Sequence, residues 1–359
     1  MKKRVVVKIG SNVLTREDGK LDITRMSALV DQVALLRQKG IEVIMVSSGA
    51  VASGRSEVHV TKSLDSVSAR QLFSAVGQAK LINRYYELFR EQGIVCGQVL
   101  TTKENFSSRR HYLTQKHCME VMLQNQVIPI VNENDTISVT ELMFTDNDEL
   151  SGLIATMMNA DALIILSNID GIYDGNPKDA TSHVIREVHS DTNSLDQFIV
   201  TEHSSFGRGG MLTKCKIARK VAEEGIEVII ANGRRNQVLS DVLFDSEHTL
   251  CTRFIPTVHA TSSVKKWIAH SEDFTKGNVY INAGAAEAMF SSQANSLLFV
   301  GIVRVEGEFE KDDLVQVLGE DGKFLGIGCT SFGSKEAVLL IGKKNQKPMI
   351  HYDYLWLNS

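Results

Sequence analysis

Short apolar runs alternate with segments of helical periodicity over the first two-thirds of this sequence. The apolar residues of Met26–Leu36 recur with the spacing of one helix face, and Gly40 follows as a stop signal. This alternation predicts an α/β fold, a mainly parallel sheet with helices on both faces and functional residues on the loops after the strands. The predicted strands are Arg4–Ile9, Glu42–Ser47, Val95–Leu100, Val127–Val131, Ala162–Ser167 and Glu227–Ala231.

The sequence changes character after Pro256, where a polar stretch leads into short strand-like pieces divided by glycines and charged turns. We therefore predict a first domain over residues 1–256, a linker over 257–274 and a small β-rich domain over 275–359. In the second domain, ten Asp and Glu outnumber eight Lys and Arg, which makes a nucleic-acid partner unlikely. Its predicted strands are Gly277–Asn282, Leu297–Val305, Leu314–Leu318 and Phe324–Ile327.

Composition excludes several classes of protein. No apolar stretch reaches the roughly 20 residues of a membrane helix, and no signal peptide follows Met1, so we expect no membrane association. The five cysteines lack C-x-x-C spacing, which predicts reduced thiols and a cytoplasmic protein. The ten histidines form no metal-binding motif, so we predict no metal-ligating residues.

Two lysines lie in glycine-bearing loops. Lys8 ends a β-branched run and is followed by Gly10, and Lys214 ends the segment Gly207–Lys214. Ser47–Ala50 forms a similar turn after the second predicted strand. Two cations on such loops suit the spread negative charge of a phosphoryl group during transfer.

Two polar segments are further candidates. Asn132–Asp135 follows the fourth predicted strand, and its four consecutive hydrogen-bonding side chains exceed what a turn requires, which favours a ligand role. Thr145–Ser151 precedes a predicted helix, and Asp146 with Glu149 three residues later is an acidic version of the capping box. Taken alone, that second segment favours a helix cap over a ligand site.

The motifs contain no histidine and no cysteine, and this constrains the chemistry. A hydroxyl acceptor would usually need a positioned base, whereas a carboxylate with a pKa of about 4.3 is already ionised at neutral pH. The residue types in these motifs therefore fit phosphorylation of a carboxylate, with two lysines and Mg2+ neutralising the charge of the phosphoryl group. Neither G-x-x-x-x-G-K-[ST] nor a G-x-G-x-x-G after the first strand is present.

Together these segments resemble the glutamate 5-kinase branch of the amino acid kinase family, whose members carry a C-terminal PUA domain. Ser296–Phe309 resembles the opening of a PUA module. The segments that carry the resemblance to the kinase domain, in the family's order, are Lys8–Ser11, Ser47–Ala50, Ala75–Gln78, Asn132–Asp135, Asp146–Asp148, Gly171–Tyr173 and Gly209–Lys214.

The resemblance implies roles for individual residues. Lys8 and Lys214 would contact the transferring phosphoryl group, and Asp148 would hold both lysines in place. Asp135 would meet the α-ammonium of the substrate, and backbone N–H groups at Gly49 and Ala50 would suit a carboxylate. The implied substrate-binding residues are Ser48, Gly49, Ala50, Asn132, Asp135, Asp146 and Asn147. The implied nucleotide-binding residues are Lys8, Gly10, Ser167, Asn168, Arg208, Gly209, Gly210, Met211, Leu212, Thr213 and Lys214.

Three places depart from the family pattern. Asn168 stands where an aspartate is usual, and Asp174–Pro177 replaces the commoner Thr-Ala-Asp-Pro. Lys311–Asp313 lacks the glycine expected in the matching PUA turn.

The implied activity is ATP- and Mg2+-dependent phosphorylation of L-glutamate to L-glutamyl 5-phosphate, the first step of proline biosynthesis. The resemblance also implies inhibition by proline, a homo-oligomer and hand-off of the product to glutamyl phosphate reductase. Alternatives are a family enzyme acting on N-acetylglutamate, aspartate or a nucleoside monophosphate, and a non-catalytic RNA-binding or regulatory protein. An acetylated substrate would offer Asp135 no ammonium, and the intact Lys8, Asp148 and Lys214 disfavour a degenerate kinase.

Overall fold

The computed structural model describes residues 3–107, 109–138, 144, 146–177, 179, 181–189, 211–257, 268, 274–291 and 295–358. The chain divides into two compact units. The first contains Met1–Lys103 and Lys116–Ala260, and the second contains Glu104–Gln115 and Thr261–Ser359. None of the helices among the described residues is both long and apolar enough to cross a membrane.

The first unit is built on a sheet of eight described strands in the order β3-β4-β2-β1-β5-β7-β8-β6. Their bounds are β1 Arg4–Ile9, β2 Glu42–Ser47, β3 Cys96–Thr101, β4 Ile128–Glu133, β5 Ala162–Ser167, β6 Glu187–Val188, β7 Glu227–Asn232 and β8 Thr252–Phe254. Neighbouring strands pair in parallel, except that β7 and β8 are antiparallel. The predicted fold class is confirmed.

Three predicted strands, β1, β2 and β5, have the observed bounds, whereas β4 runs on to Glu133. That extension carries Asn132 and Glu133 into the sheet as buried residues, so they are fixed more firmly than turn residues would be. The short strands β6 and β8 were not predicted, because two or three residues show no readable periodicity.

Helices cover the sheet. Those of the first unit are α1 Ser11–Leu14, α2 Ile23–Gln38, α3 Ala50–Arg55, α4 Ser66–Glu91, α7 Asn147–Met157, α8 Met211–Glu223 and α9 Val238–Phe244; α5 Glu104–Ser107 and α6 Arg109–Gln124 follow β3. The apolar face predicted in Met26–Leu36 packs into the main core with the central strands. Asp22 caps α2 by accepting from the Arg25 N–H, and Gly40 follows its end at φ +79°.

Two glycines let α3 and α4 approach closely. A Cβ added at Gly54 would lie 1.8 Å from the Phe73 carbonyl oxygen, and one at Gly77 would lie 1.8 Å from that of Ala50. The first turn of α3 is thereby fixed against the middle of α4, which matters for the site described below.

The second unit contains a five-stranded sheet in the order β10-β9-β11-β12-β13. Its elements are β9 Gly277–Ile281, α10 Ala283–Met289, β10 Ile302–Gly307, β11 Leu314–Gly319, β12 Phe324–Cys329, α11 Ser334–Leu340 and β13 Leu355–Leu357. Val279, Phe299, Val315 and Ile350 are among the buried residues of its separate core. The predicted β-rich second domain is therefore present.

The predicted strand Leu297–Val305 is wrong in its first half. Phe299–Gly301 forms a 3-10 turn, in which the Gly301 N–H donates to the Leu298 carbonyl at 3.0 Å, and β10 begins only at Ile302. Burial nevertheless alternates along this stretch, with Leu297 and Phe299 inside and Leu298 and Val300 about half exposed, which is why the pattern predicted a strand.

The turn that lacks its expected glycine adopts a left-handed conformation at Asp312, with φ +72°. The Asp312 N–H still donates to the Thr330 carbonyl at 2.8 Å. Aspartate tolerates this conformation better than most residues, so the turn forms without glycine.

Candidate active site

The candidate site lies where β1, β2, β4 and β5 end at the same edge of the sheet. The Ser48 N–H donates to the Ile9 carbonyl at 3.1 Å and the Gly10 N–H to the Leu166 carbonyl at 3.2 Å, which joins the loops after three strands. Gly49 opens α3 at φ +105°, a left-handed conformation that favours glycine. Parallel strands and tight loops thus gather residues distant in sequence.

A lysine cluster, defined as Lys8, Asp148 and Lys214, forms at this edge. The Lys8 Nζ lies 2.5 Å from Asp148 Oδ1, and the Lys214 Nζ lies 2.7 Å from Asp148 Oδ2. The Asp148 side chain is only 1% exposed. Burial alone would raise the pKa of Asp148, but the charges of Lys8 and Lys214 lower it to about 2. The cluster therefore carries two positive charges and one negative charge.

Each member of the lysine cluster comes from a different element. Lys8 is on the central strand β1, Asp148 is in the first turn of α7, and Lys214 is in the first turn of α8. The three are 140 and 66 residues apart along the sequence, so only the fold brings them together. A carboxylate that contacts two amines fixes both cations at one point of the site.

Asp146 caps α7. Its Oδ1 accepts hydrogen bonds from the Asp148 and Glu149 N–H groups at 2.8 and 3.1 Å, which confirms the predicted cap. Its other oxygen, Oδ2, is buried and has no hydrogen-bond partner among the described residues. Burial and the nearby charge of Asp148 raise the pKa of Asp146 to about 6. The cap thus also presents one carboxylate oxygen that the protein leaves unsatisfied.

Asn147 connects several of the predicted substrate-binding residues. Its Nδ2 donates to Ser48 Oγ at 2.9 Å and to Asn132 Oδ1 at 3.0 Å. The Asn132 Nδ2 in turn donates to Gln78 Oε1 on α4 at 2.8 Å. Three of the predicted residues, Ser48 after β2, Asn132 at the end of β4 and Asn147 at the start of α7, are therefore held in one amide and hydroxyl network.

A carboxylate cluster, defined as Arg70, Glu133 and Asp135, lies next to this network. The Arg70 Nη2 is 2.7 Å from Glu133 Oε2 and also contacts Asp135 Oδ1. The three side chains are 17%, 4% and 8% exposed, respectively. Asp135, predicted to meet a substrate ammonium, thus already has a cationic neighbour in the protein, and its role toward the substrate stays a prediction.

The sequence interpretation missed the contribution of α4. Arg70, Ser74 and Gln78 follow one another at four-residue spacing, which places them on one face of the helix. That face reaches Glu133 and Asp135 through Arg70, Asp135 through Ser74 at 3.2 Å, and Asn132 through Gln78. The polar four-residue repeat in the sequence places these side chains on one helix face, but periodicity does not show which residues that face contacts.

The predicted nucleotide-binding residues are described in part. Ser167 ends β5, and its Oγ donates to Asn168 Oδ1 at 3.4 Å. Gly10 lies at the end of β1, and Met211, Leu212 and Thr213 precede Lys214 in the first turn of α8. Arg208, Gly209 and Gly210 lie outside the described residues.

Comparison with known proteins agrees with this architecture. Residues 3–232 match the amino acid kinase family, and residues 277–352 match the PUA domain. A glutamate 5-kinase of Bacteroides thetaiotaomicron is 65% identical over 354 residues, covering 99% of this chain and 98% of the relative. A glutamate 5-kinase of Chlorobaculum tepidum is 47% identical over 360 residues, covering 99% and 97%.

A solved structure shares the fold of the first unit. Carbamate kinase from Giardia lamblia bound to AMP-PNP aligns with a TM-score of 0.51 at 16% identity, over 71% of this chain and 99% of that one. At this identity the likeness concerns the fold alone. The two family matches and the full-length relatives establish that the chain belongs to the amino acid kinase family, in the glutamate 5-kinase branch that carries a C-terminal PUA domain.

Proposed function

We propose that this chain transfers the γ-phosphoryl group of ATP to the side-chain carboxylate of L-glutamate, giving L-glutamyl 5-phosphate for proline biosynthesis. The observation that carries the proposal is the lysine cluster, in which buried Asp148 holds Lys8 and Lys214 at one point. The full-length relatives named glutamate 5-kinase support the choice of acceptor.

The transfer needs no proton movement. A carboxylate oxygen of the acceptor forms a bond to the γ-phosphorus, while the bond from that phosphorus to the bridging oxygen breaks and its electron pair leaves on ADP. The acceptor is ionised at neutral pH, so no general base is required. Lys8 and Lys214 neutralise the charge that spreads over the transferring oxygens, and Asp148 keeps them preorganised for it.

The amide and hydroxyl network would orient the acceptor. Ser48 lies in the loop after β2, next to the N–H groups of Gly49 and Ala50, and its Oγ accepts a hydrogen bond from the Asn147 amide at the start of α7. These donors suit the acceptor's carboxylate oxygens, and Asp135 suits its ammonium. Asn132 holds the Asn147 amide, and Asp146 fixes the start of α7.

The nucleotide would be ATP, with its phosphates near Lys8, Gly10 and Lys214. Mg2+ usually binds through one or two carboxylates together with substrate phosphates. Among the described residues, no group of three or more His, Cys, Asp and Glu side chains could hold a metal by itself. The unsatisfied, buried Oδ2 of Asp146 fits an ion of this kind, which would add positive charge to that of the two lysines.

The remaining partners are proposed on the family likeness. They are proline as a feedback inhibitor, further copies of this chain in a homo-oligomer, and a glutamyl phosphate reductase that accepts the labile product. A cytoplasmic location is proposed from the five cysteines, whose number and spacing predict reduced thiols.

Trapping with hydroxylamine tests the proposed function. An acyl phosphate reacts with hydroxylamine to give a hydroxamate that forms a coloured complex with iron, whereas a phosphate ester does not. We expect hydroxamate from the purified chain with Mg-ATP and L-glutamate, and little with N-acetylglutamate, aspartate or UMP. ADP release driven by UMP without hydroxamate would contradict the proposal.

A further inference from the structure

The carboxylate cluster contains a cation to which the proposed reaction assigns no role. Arg70 extends from the first turns of α4 and contacts two acidic residues that flank Asn134 at the end of β4. Ion pairs on a protein surface contribute little, but this one is largely excluded from solvent. A buried group of three charges is costly to assemble, so its composition requires a reason.

The remaining oxygens of the two carboxylates are also held. Glu133 Oε1 accepts from the Phe144 N–H at 3.1 Å, and Asp135 Oδ2 accepts from Ser74 Oγ at 3.2 Å. Each carboxylate therefore has a neutral donor on one oxygen and Arg70 on the other. This arrangement fixes their orientation, because neither can rotate without losing both contacts.

The charges of the cluster do not cancel. Counted over these three described side chains in their ionised forms, Glu133 and Asp135 contribute two negative charges against the one positive charge of Arg70, which leaves one negative charge in a nearly buried position. Such a charge is expensive unless a cation from outside neutralises it. Asn132, adjacent to Glu133 in sequence, bonds to the Asn147 amide, so the uncompensated charge borders the network that would orient the acceptor.

We propose that Arg70 is a positioning residue of the acceptor pocket: by bridging Glu133 and Asp135 it leaves one uncompensated negative charge on Asp135 for the ammonium group of an amino-acid acceptor, an inference that rests on the proposed function. Because Glu133 also pairs with Arg70, the positive charge of Arg70 does not neutralise Asp135 completely. An acceptor whose amine is acylated brings no positive charge and leaves the cluster unbalanced, which discriminates against it.

A charge-rescue series tests this inference. The variants Arg70→Gln and Glu133→Gln and the double variant that combines them carry cluster charges of about −2, 0 and −1 by simple counting, against −1 in the wild type. Glu133→Gln should raise the glutamate KM roughly tenfold or more, because Arg70 then neutralises Asp135. Arg70→Gln should raise it several-fold, because Glu133 and Asp135 then lose the cation that orients them and repel each other.

The double variant restores a single negative charge on Asp135. We expect its glutamate KM to lie below that of either single variant, a non-additive result that charge balance predicts, but above the wild-type value, because Ser74 alone then orients Asp135. The KM for ATP should stay within about twofold throughout, because the lysine cluster is unchanged. All rates are measured as hydroxamate formation by the full chain.

Controls separate positioning from support of the fold. Arg84 and Glu87 form a half-exposed pair on the same helix at 2.9 Å, and the matching Arg84→Gln, Glu87→Gln and double variants should leave both KM values unchanged. Arg70→Lys keeps the charge as a point charge, and since one nitrogen atom, Nη2, contacts both carboxylates, we expect a glutamate KM within about threefold of wild type. If Arg70→Gln does not fold, Glu133→Gln and Arg70→Lys still decide.

The outcomes are distinct. Single-variant losses that add in the double variant, or equal rises in both KM values with a lower melting temperature, would overturn the inference and leave the proposed function standing. An unchanged glutamate KM in Glu133→Gln would do the same. Absence of hydroxamate from the wild type with L-glutamate would remove the proposed function and this inference with it.

Discussion

The lysine cluster and the carboxylate cluster use the same charged groups in opposite proportions. In the first, a carboxylate lies between two cations and leaves one positive charge; in the second, a cation lies between two carboxylates and leaves one negative charge. A net charge within such a buried cluster favours a ligand group of opposite sign. Under the proposed function, the lysine cluster would meet the phosphoryl group and the carboxylate cluster the ammonium of the acceptor.

Asn147 couples these two parts. It precedes Asp148 in the first turn of α7, and its amide donates to Asn132, which precedes Glu133 in β4. A shift of α7 would therefore move the lysine cluster and the amide and hydroxyl network together. The coupling is geometric, through one helix turn and one strand end, and it places the two charge arrangements in a fixed relation.

Removing a lysine should have the largest effect and should distinguish the role of the lysine cluster from that of the carboxylate cluster. In Lys8→Ala and Lys214→Ala we expect kcat to fall by about 10²–10³, the usual cost of losing one donor that stabilises developing charge. The glutamate KM should change much less, because the carboxylate cluster is untouched. Initial rates of hydroxamate formation at varied glutamate and ATP measure both constants.

The control for this prediction is Lys80→Ala, which removes a half-exposed lysine paired with Glu57 on the surface. It should leave kcat and both KM values as they are. If Lys8→Ala or Lys214→Ala raised only the glutamate KM and left kcat unchanged, the lysines would serve acceptor binding, and the two clusters would not differ in the way proposed.

Gly77→Ala tests whether the acceptor side depends on the close approach of α3 and α4. Alanine gains about 1 kcal/mol of helix propensity over glycine, but here its Cβ would lie 1.8 Å from the Ala50 carbonyl oxygen. We expect overpacking to win, with a net loss of about 1–3 kcal/mol in the free energy of unfolding. The glutamate KM should rise more than the ATP KM, because the start of α3 is displaced.

Denaturant unfolding and steady-state kinetics check this expectation. Gly284→Ala is a suitable control, since the nearest atom to its added Cβ, Asn282 Oδ1, is 3.7 Å away in an ordinary contact. A Gly77→Ala protein more stable than the wild type would show that the two helices adjust freely and that the acceptor network does not rely on them.

The two clusters also differ in how far the sequence could reveal them. Lys8 and Lys214 stood out because glycines flank them, and Asp148 lies within a recognisable cap. These signals are local, so they survive in a single sequence. The sheet was predicted for the same reason: each central strand is a continuous apolar run with turn residues at its ends.

Arg70 gave no comparable local signal. It is a charged residue near the start of a long helix, where solvent exposure is the ordinary expectation. Its burial goes with its contacts to Glu133 and Asp135 at the end of β4, which are more than 60 residues away along the sequence. Side chains whose partners are set by helix packing are the part of this site that periodicity could not supply.

The smallest expected effect concerns Tyr85, a residue of α4 that contacts Ser47, the neighbour of Ser48 in the amide and hydroxyl network. Its buried hydroxyl is 2.9 Å from Ser47 Oγ, and burial raises its pKa, so the phenol stays neutral and able to hydrogen bond. Tyr85→Phe should lower the free energy of unfolding by about 0.5–1.5 kcal/mol, the ordinary value of one such bond. Both KM values should stay within about twofold of wild type, because Asn147 holds the neighbouring Ser48 side chain. Tyr86→Phe, on the adjacent and 49% exposed residue, is the matched control and should change neither stability nor kinetics. A tenfold rise of the glutamate KM in Tyr85→Phe alone would show that glutamate binding also depends on the hydrogen bond between Tyr85 and Ser47, and not only on the network around Ser48 and Asn147.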